Sequence, residues 1–336
     1  MKKIIFIIIQ FVFIISYSQN KGIEQSGDFL DTKFEIEKYV HANSERFKKF
    51  ELKKINDFDP DKYDYEMDLI CKRIGDSLKI TKNYYKADFD NNSLMDIVMI
   101  GDDYNCDESR TISCNFRCLV MMCFPQDLVK IYSLNLSSGC YIPQIIKKKN
   151  QTLIKVHHRK IGVLSDKGNN IEDHTLIYKC DGFIDYNEKP VKHFIEKIEF
   201  SASGCYGTCP VFSLVIDKER NSTFFAERFN FGTEKENMKK MSSFFNNNRE
   251  GTFKSIIKEE NYQQILELLE YMNFESLNNE YDEAQDDNQS STLKITYDNG
   301  KVKTIVDNGL IGSYSLKKLY ELLFELRKNQ KWELKL

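Results

Sequence analysis

Apolar positions along this chain fall into two rhythms. Between residues 33 and 55, Phe34, Tyr39, Val40, Phe47 and Phe50 recur at roughly helical spacing among Lys and Glu. That pattern predicts an amphipathic helix. After it the runs shorten. Residues 97–100, 118–124, 128–136, 142–146, 152–158, 175–180 and 183–186 are brief β-like segments, with Lys149-Asn150 and Asp181-Gly182 as turns between some of them. Short strands in succession predict an antiparallel meander.

The polar stretch Asn187-Glu188-Lys189-Pro190 is the natural boundary, since polar residues and a proline separate two β-rich regions there. Beyond it, strands are predicted at 194–200, 211–216 and 223–228. Residues 232–251, with Asn246-Asn247-Asn248, read as a mobile loop. Tyr262, Ile265, Leu268, Leu269 and Met272 mark one helix face; Leu316, Leu319, Tyr320, Leu323 and Phe324 mark another. Between them, 293–297 and 302–306 alternate around Asn299-Gly300, a dipeptide suited to the positive φ angles of a tight hairpin. The resulting fold class is α+β with two domains. Residues 33–187 form a helix plus antiparallel β-meander, and 188–336 form a βββ-α-ββ-α unit with helices on one face of an antiparallel sheet.

The first eighteen residues differ from the rest. Lys2 and Lys3 precede an apolar core, and Ser16-Tyr17-Ser18 supplies small residues at both positions a signal peptidase inspects. Residues 1–18 therefore read as an export signal and 19–32 as a flexible leader, which places the mature chain in the periplasm, outside the cell or at its surface. No transmembrane segment is expected in the mature chain. Composition narrows the partners. The 336-residue chain carries a formal charge of -3, with 48 Lys and Arg against 51 Asp and Glu. Without a basic excess, nucleic acid has no electrostatic foothold.

Export changes the meaning of the nine cysteines, 71, 106, 114, 118, 123, 140, 180, 205 and 209. In an oxidising compartment disulfides are the default. The odd count leaves at least one thiol free, capped or paired with another chain, with Cys71 and Cys180 the more isolated candidates. Cys106, Cys114, Cys118 and Cys123 cluster within eighteen residues, where one or two disulfides would brace the loop that precedes the 118–124 strand. Cys118 and Cys123 share a predicted strand and should pair elsewhere, with Cys140 and Cys180 available. Zinc is the other use of such a cluster, but paired Cys-x-x-Cys knuckles are missing.

The densest motif is Gly204-Cys205-Tyr206-Gly207-Thr208-Cys209-Pro210. With the β run Val211-Phe212-Ser213-Leu214, the Asn299-Gly300 hairpin and the closing helix, it resembles a family of bacterial domains of unknown function with a Gly-Thr-Cys-Pro signature, over residues 192–330. The resemblance implies no activity. A Cys205–Cys209 disulfide would close a five-residue loop, worth only about 2 kcal/mol in the chain-entropy model. Its job is to pin a corner between strands. Thiol–disulfide exchange is the sharper alternative, although Cys-x-x-x-Cys lacks the thioredoxin spacing and no helix start is predicted at Cys205.

One loop carries oxygen at alternate positions. Asp88-Phe89-Asp90-Asn91-Asn92-Ser93-Leu94-Met95-Asp96 lies between two β runs, and calcium takes six to eight such oxygens. Residues 84–101 resemble a single calcium loop of the integrin-type FG-GAP repeats. That implies side-chain ligands from Asp88, Asp90, Asn92 and Asp96, and the carbonyl of Leu94. Ser93 stands where glycine normally makes the turn. The bland alternative is a polar hairpin needing no ion.

Nucleophile elbows, phosphate loops, zinc-protease helices and dinucleotide fingerprints are missing from the sequence. His157 and His158 point to opposite faces of a strand and cannot share an ion. His41, His174 and His193 have no acidic or cysteine partner at ligand spacing and read as surface or capping residues. The acidic run 280–287 reads as a solvated loop. The expectation is a non-catalytic exported protein, binding an unknown protein or envelope partner, with loops braced by disulfides. The alternatives are an enzyme of unknown type, with Cys205 and Cys209 exchanging disulfides, and a calcium-stabilised adhesion-like module.

Overall fold

Helix α1 (Lys33–Asn43) starts where Thr32 and Glu35 cap each other. The Thr32 hydroxyl accepts the Glu35 N–H at 3.2 Å, and the Glu35 carboxylate accepts the Thr32 N–H at 3.0 Å. In the computed structural model, residues 29–53, 65–103, 117–136, 140–159, 171–232, 236–237, 250–282 and 288–335 are described. The expected signal, leader residues 19–28, Cys106, Cys114 and most of the 232–251 loop lie outside the described residues.

The helix is shorter than the 33–55 pattern suggested. Its buried residues are Ile36 and Val40, whereas Phe34 is 73 % exposed. After Ser44, whose hydroxyl accepts the Phe47 N–H, the chain enters strand β1 (Phe50–Leu52). Phe50 and Leu52 are buried and Glu51 exposed, a two-residue period that a strand satisfies and a helix cannot. Part of the predicted flexible leader is also docked. Leu30 is buried, and the Asp31 carbonyl accepts the Tyr84 hydroxyl at 2.6 Å.

Sheet A contains β1, β2 (Tyr84–Ala87), β3 (Asp96–Asp103), β4 (Arg117–Phe124) and β5 (Leu128–Ser133). Strands β2 and β1 pair with successive halves of β3. Gly101 lets β1 come close, because a Cβ there would lie 2.1 Å from the Glu51 carbonyl oxygen. Helix α2 (Tyr65–Ser77), which the sequence pattern did not reveal, is tied by Cys71 to Cys140 ahead of the next sheet. Sheet B is the antiparallel meander β6 (Tyr141–Lys148), β7 (Gln151–Arg159), β8 (Ile171–Tyr178) and β9 (Phe183–Asp185).

The second half forms an eight-stranded sheet C, larger than the five strands predicted. Its strands are β10 (Ile195–Ala202), β11 (Val211–Asp217), β12 (Asn221–Arg228), β13 (Gly251–Ile256), β14 (Glu280–Asp282), β15 (Ser290–Tyr297), β16 (Lys301–Asn308) and β17 (Glu333–Leu334), in the order β14-β16-β15-β10-β11-β12-β13-β17. The start of the acidic 280–287 run is thus a strand, parallel to β16; residues 283–287 lie outside the described residues. The hairpin at Asn299-Gly300 takes in Asp298 as well, all three with positive φ. The Asp298 carboxylate binds His193 Nδ1 and the Phe194 N–H, which draws it into the turn.

Helices α3 (Glu259–Met272) and α4 (Tyr314–Asn329) cover one face of sheet C. Their stripes, Ile265, Leu268, Leu316 and Leu323 among them, meet Ile198, Phe200, Phe212 and Leu214. The molecule is α+β and layered. Ile36 and Val40 of α1 pack on Ile97, Met99 and Leu119 of sheet A. Val98 and Val120, on its other face, meet Ile154, Val156 and Leu176 of sheet B. Leu153, Ile177 and Ile184 on the far side of sheet B join the core of α3, α4 and sheet C. Strand β3 is buried along its whole length, which is why it reads as an apolar run without alternation. Apolar packing crosses the 187–190 boundary, and Asn187 itself bonds Tyr271 of α3.

Candidate functional site

Strand β2 delivers the chain into the Asp88 loop, and Asp96 begins β3. The loop folds on its own side chains. Asp88 accepts the N–H groups of Asn92 and Ser93 at 3.2 and 2.9 Å, and Asp90 accepts the Asn92 N–H at 3.1 Å. Ser93, in the expected glycine position, has φ +71, so the left-handed turn forms without glycine.

Asp88, Asp90 and Asp96 each bring a carboxylate oxygen within 4.8 Å of the others. Asp96 is fully buried, and its two oxygens accept the Phe89 N–H at 2.9 Å and the Cys123 N–H at 2.8 Å. Burial pushes its carboxyl up to about 7 despite those two hydrogen bonds, with the Asp90 and Asp88 charges adding to the rise. Burial also raises Asp90, and neighbouring Asp88 contributes. Asn92 is turned to other work. Its amide donates to Asp90 and to the Cys123 carbonyl, and its oxygen accepts the Leu94 N–H at 2.7 Å. Of the five expected ligands, three carboxylates converge. Three like charges this close, one of them inside the protein, suit a hard divalent cation, which oxygen donors prefer.

A cleft of about 460 Å³ opens beside this loop. Asp90 and Asn91 form one wall, Tyr178 and Lys179 of sheet B another, and Glu267 and Glu270 of α3 a third. The Lys179 ammonium lies 5.5 Å from the centre of the Tyr271 ring. Close by, the turn Cys180-Asp181-Gly182 ties the layers together. The Asp181 carboxylate accepts Lys130 Nζ at 2.7 Å and the hydroxyls of Tyr132 and Tyr178, and its carbonyl accepts Lys318 Nζ of α4 at 2.8 Å.

Among the described residues, two cysteine pairs sit at disulfide distance. Cys205 and Cys209 have Cα atoms 5.7 Å apart and close the corner between β10 and β11. No helix starts there, and Tyr206 between them is 91 % exposed. Cys71 and Cys140, 5.6 Å apart, join α2 to the start of sheet B. Cys71 is therefore not the leftover sulfur, and Cys140 does not serve the 106–123 cluster. Cys118 is a thiol, contrary to its expected place among the disulfides, and Cys180, the other isolated candidate, is a thiol that serves as no partner to the 106–123 cluster. Cys118 points into the apolar interior between sheets A and B, where burial raises its pKa far above that of an ordinary thiol. Cys123 is buried on β4.

The histidines have partners that local spacing hid. His157 Nδ1 lies 2.6 Å from Asp173 on β8, and His193 Nδ1 lies 2.7 Å from Asp298. His174 Nδ1 lies 3.7 Å from Asp185 on β9. Each carboxylate comes from another strand or turn, so only the strand register could have pointed to it. His41 Nε2 meets the Phe50 carbonyl at 2.7 Å.

Among the described residues no helix is long and apolar enough to cross a membrane. No curated protein and no solved structure matches the chain. Residues 196–327, from the start of sheet C to the last turns of α4, match the family model of a domain of unknown function, DUF6438.

Proposed function

We propose that this protein is a non-catalytic, exported binding or envelope-associated module, braced by disulfides and stabilised by calcium at the Asp88 loop. The convergence of the Asp88, Asp90 and Asp96 carboxylates, with Asp96 buried, carries the reading. Asp88, Asp90 and Asp96 would hold the ion, which neutralises charge that the buried end of β3 otherwise has to tolerate. Asp90 also forms a wall of the adjacent cleft, so the bound ion would fix one side of a ligand site. The Cys71–Cys140 and Cys205–Cys209 pairs support an oxidising compartment.

Melting of the mature chain in calcium and in chelator tests the proposal. At calcium one hundred times its Kd, binding adds about 2.7 kcal/mol. The expected result is a higher Tm in calcium that Asp90→Asn abolishes. An unchanged Tm, with no heat of binding by calorimetry, would remove calcium from the account.

The exposure of the Cys205–Cys209 corner favours one second reading, thiol–disulfide exchange. Its measure is the potential of that pair. A value well above about −300 mV supports exchange, and a lower one a structural bridge.

A further inference from the structure

At the other end of sheet B from the Asp88 loop, two imidazoles and a carboxylate face one another. His158 is the last residue but one of β7, and Glu172 stands directly opposite it on β8. His174 follows Glu172 by two residues and so shares its face of the sheet. One ligand atom from each lies within 4.8 Å of the other two, and His158 Nε2 is 3.7 Å from a Glu172 oxygen. Gln151, beside the calcium loop's cleft, and His158 are separated by about 23 Å at ordinary strand rise.

The rings are held in place. His158 stacks on Tyr141 with centroids 4.8 Å apart and planes 11° off parallel, and the His174 ring lies 5.1 Å from it. Tyr314 of α4 meets His174 edge-on at 5.3 Å, and the Tyr314 hydroxyl is anchored on the Leu134 carbonyl at 2.6 Å. Behind His174, Asp185 sits 3.7 Å from Nδ1, and the Ser315 N–H fixes that carboxylate at 2.9 Å. A carboxylate behind one imidazole nitrogen directs the other nitrogen toward a ligand, as it does around many metal ions. His158 is buried while Glu172 is exposed, so the cluster opens to solvent on one side only.

We infer that His158, Glu172 and His174 form a binding site for a zinc-like divalent transition metal, separate from the oxygen-only Asp88 loop. Two nitrogens and one carboxylate oxygen suit a borderline cation such as zinc and leave a fourth position open to water or an exogenous ligand. The other histidines differ. His157 and His193 face carboxylates without a second imidazole among the described residues.

The test uses the full mature chain, stripped with chelator and titrated with zinc chloride while calcium saturates the Asp88 loop. Calorimetry and metal analysis after dialysis should read one zinc per chain. Glu172→Gln and His174→Gln should each weaken it by at least about tenfold. Asp173→Asn, on the opposite face, should leave it unchanged. Melting curves establish that the variants are folded, and the exposed Glu172 makes its substitution the safer of the two. No zinc uptake by the wild-type chain, or uptake that either substitution leaves intact, overturns the site.

Discussion

Asp185 and Ser315 bond each other reciprocally across 130 residues of sequence. The Asp185 N–H donates to the Ser315 hydroxyl at 3.1 Å, and the Ser315 N–H donates to the Asp185 carboxylate at 2.9 Å. The first residue ends sheet B and the second lies in the first turn of helix α4. The two halves of the chain, divided in sequence by a polar linker, are thus joined at a part-buried contact. Ser315→Ala leaves the Asp185 N–H without its acceptor and should cost about 1–3 kcal/mol. Urea unfolding followed by fluorescence should show a lower midpoint and still a single transition. Two separated transitions in the wild type would mean that the halves unfold independently.

Asp96 does two jobs that substitution can separate from calcium binding. Both of its oxygens accept backbone N–H groups, one from the loop and one from β4. Asparagine keeps one acceptor only. Asp96→Asn should therefore destabilise the chain by about 1–3 kcal/mol even in chelator, whereas Asp90→Asn should act only when calcium is present. Paired melting curves with calcium and with chelator distinguish the two.

The two bridges close loops of very different length. Cys71 and Cys140 are 69 residues apart and Cys205 and Cys209 only 4. The chain-entropy model gives about 4 kcal/mol for the first and about 2 kcal/mol for the second. Cys71→Ser with Cys140→Ser should lower the denaturation midpoint more than Cys205→Ser with Cys209→Ser. Alkylation of the native protein, read by intact mass, should label the half-buried Cys180 slowly and Cys118 only after unfolding.

Acid should weaken the joint at Asp181. Burial alone would raise its carboxyl, but hydrogen bonds from Lys130, Tyr132 and Tyr178 outweigh that and hold it below the usual carboxylate range. The native state then binds fewer protons than the unfolded chain as pH falls through about 4. Its contribution is present above that pH and is lost as pH drops through the native value. Asp181→Asn should flatten this part of the stability–pH curve. An unchanged slope between about pH 5 and 3 would show that the carboxylate is immaterial there.

Strands and helices with one buried face were legible because their period is local. The stripe Ile265, Leu268, Leu269 and Met272 and the alternation at 293–297 each appear in the structure as read. Segments without a period of their own were not. Strand β17 has only two residues, both exposed, and exists because Phe253 and Lys254 pair with it. The 33–55 run failed for the opposite reason: its apolar residues match a helix by spacing, but Phe50 and Leu52 are claimed by pairing with β3.

Local spacing was enough to find where oxygen atoms alternate through the Asp88 loop, where a corner can be pinned by Cys205 and Cys209, and where the helix faces of Ile265 and Leu319 lie. Those features span a few residues, and backbone geometry ties them to their neighbours. Long-range packing brings Cys71 to Cys140, Asp185 to Ser315, and His158 onto the face that Glu172 and His174 share. Each of those pairings depends on strand register and on the stacking of layers. Both are set by the burial of apolar faces from distant segments, which no local spacing encodes.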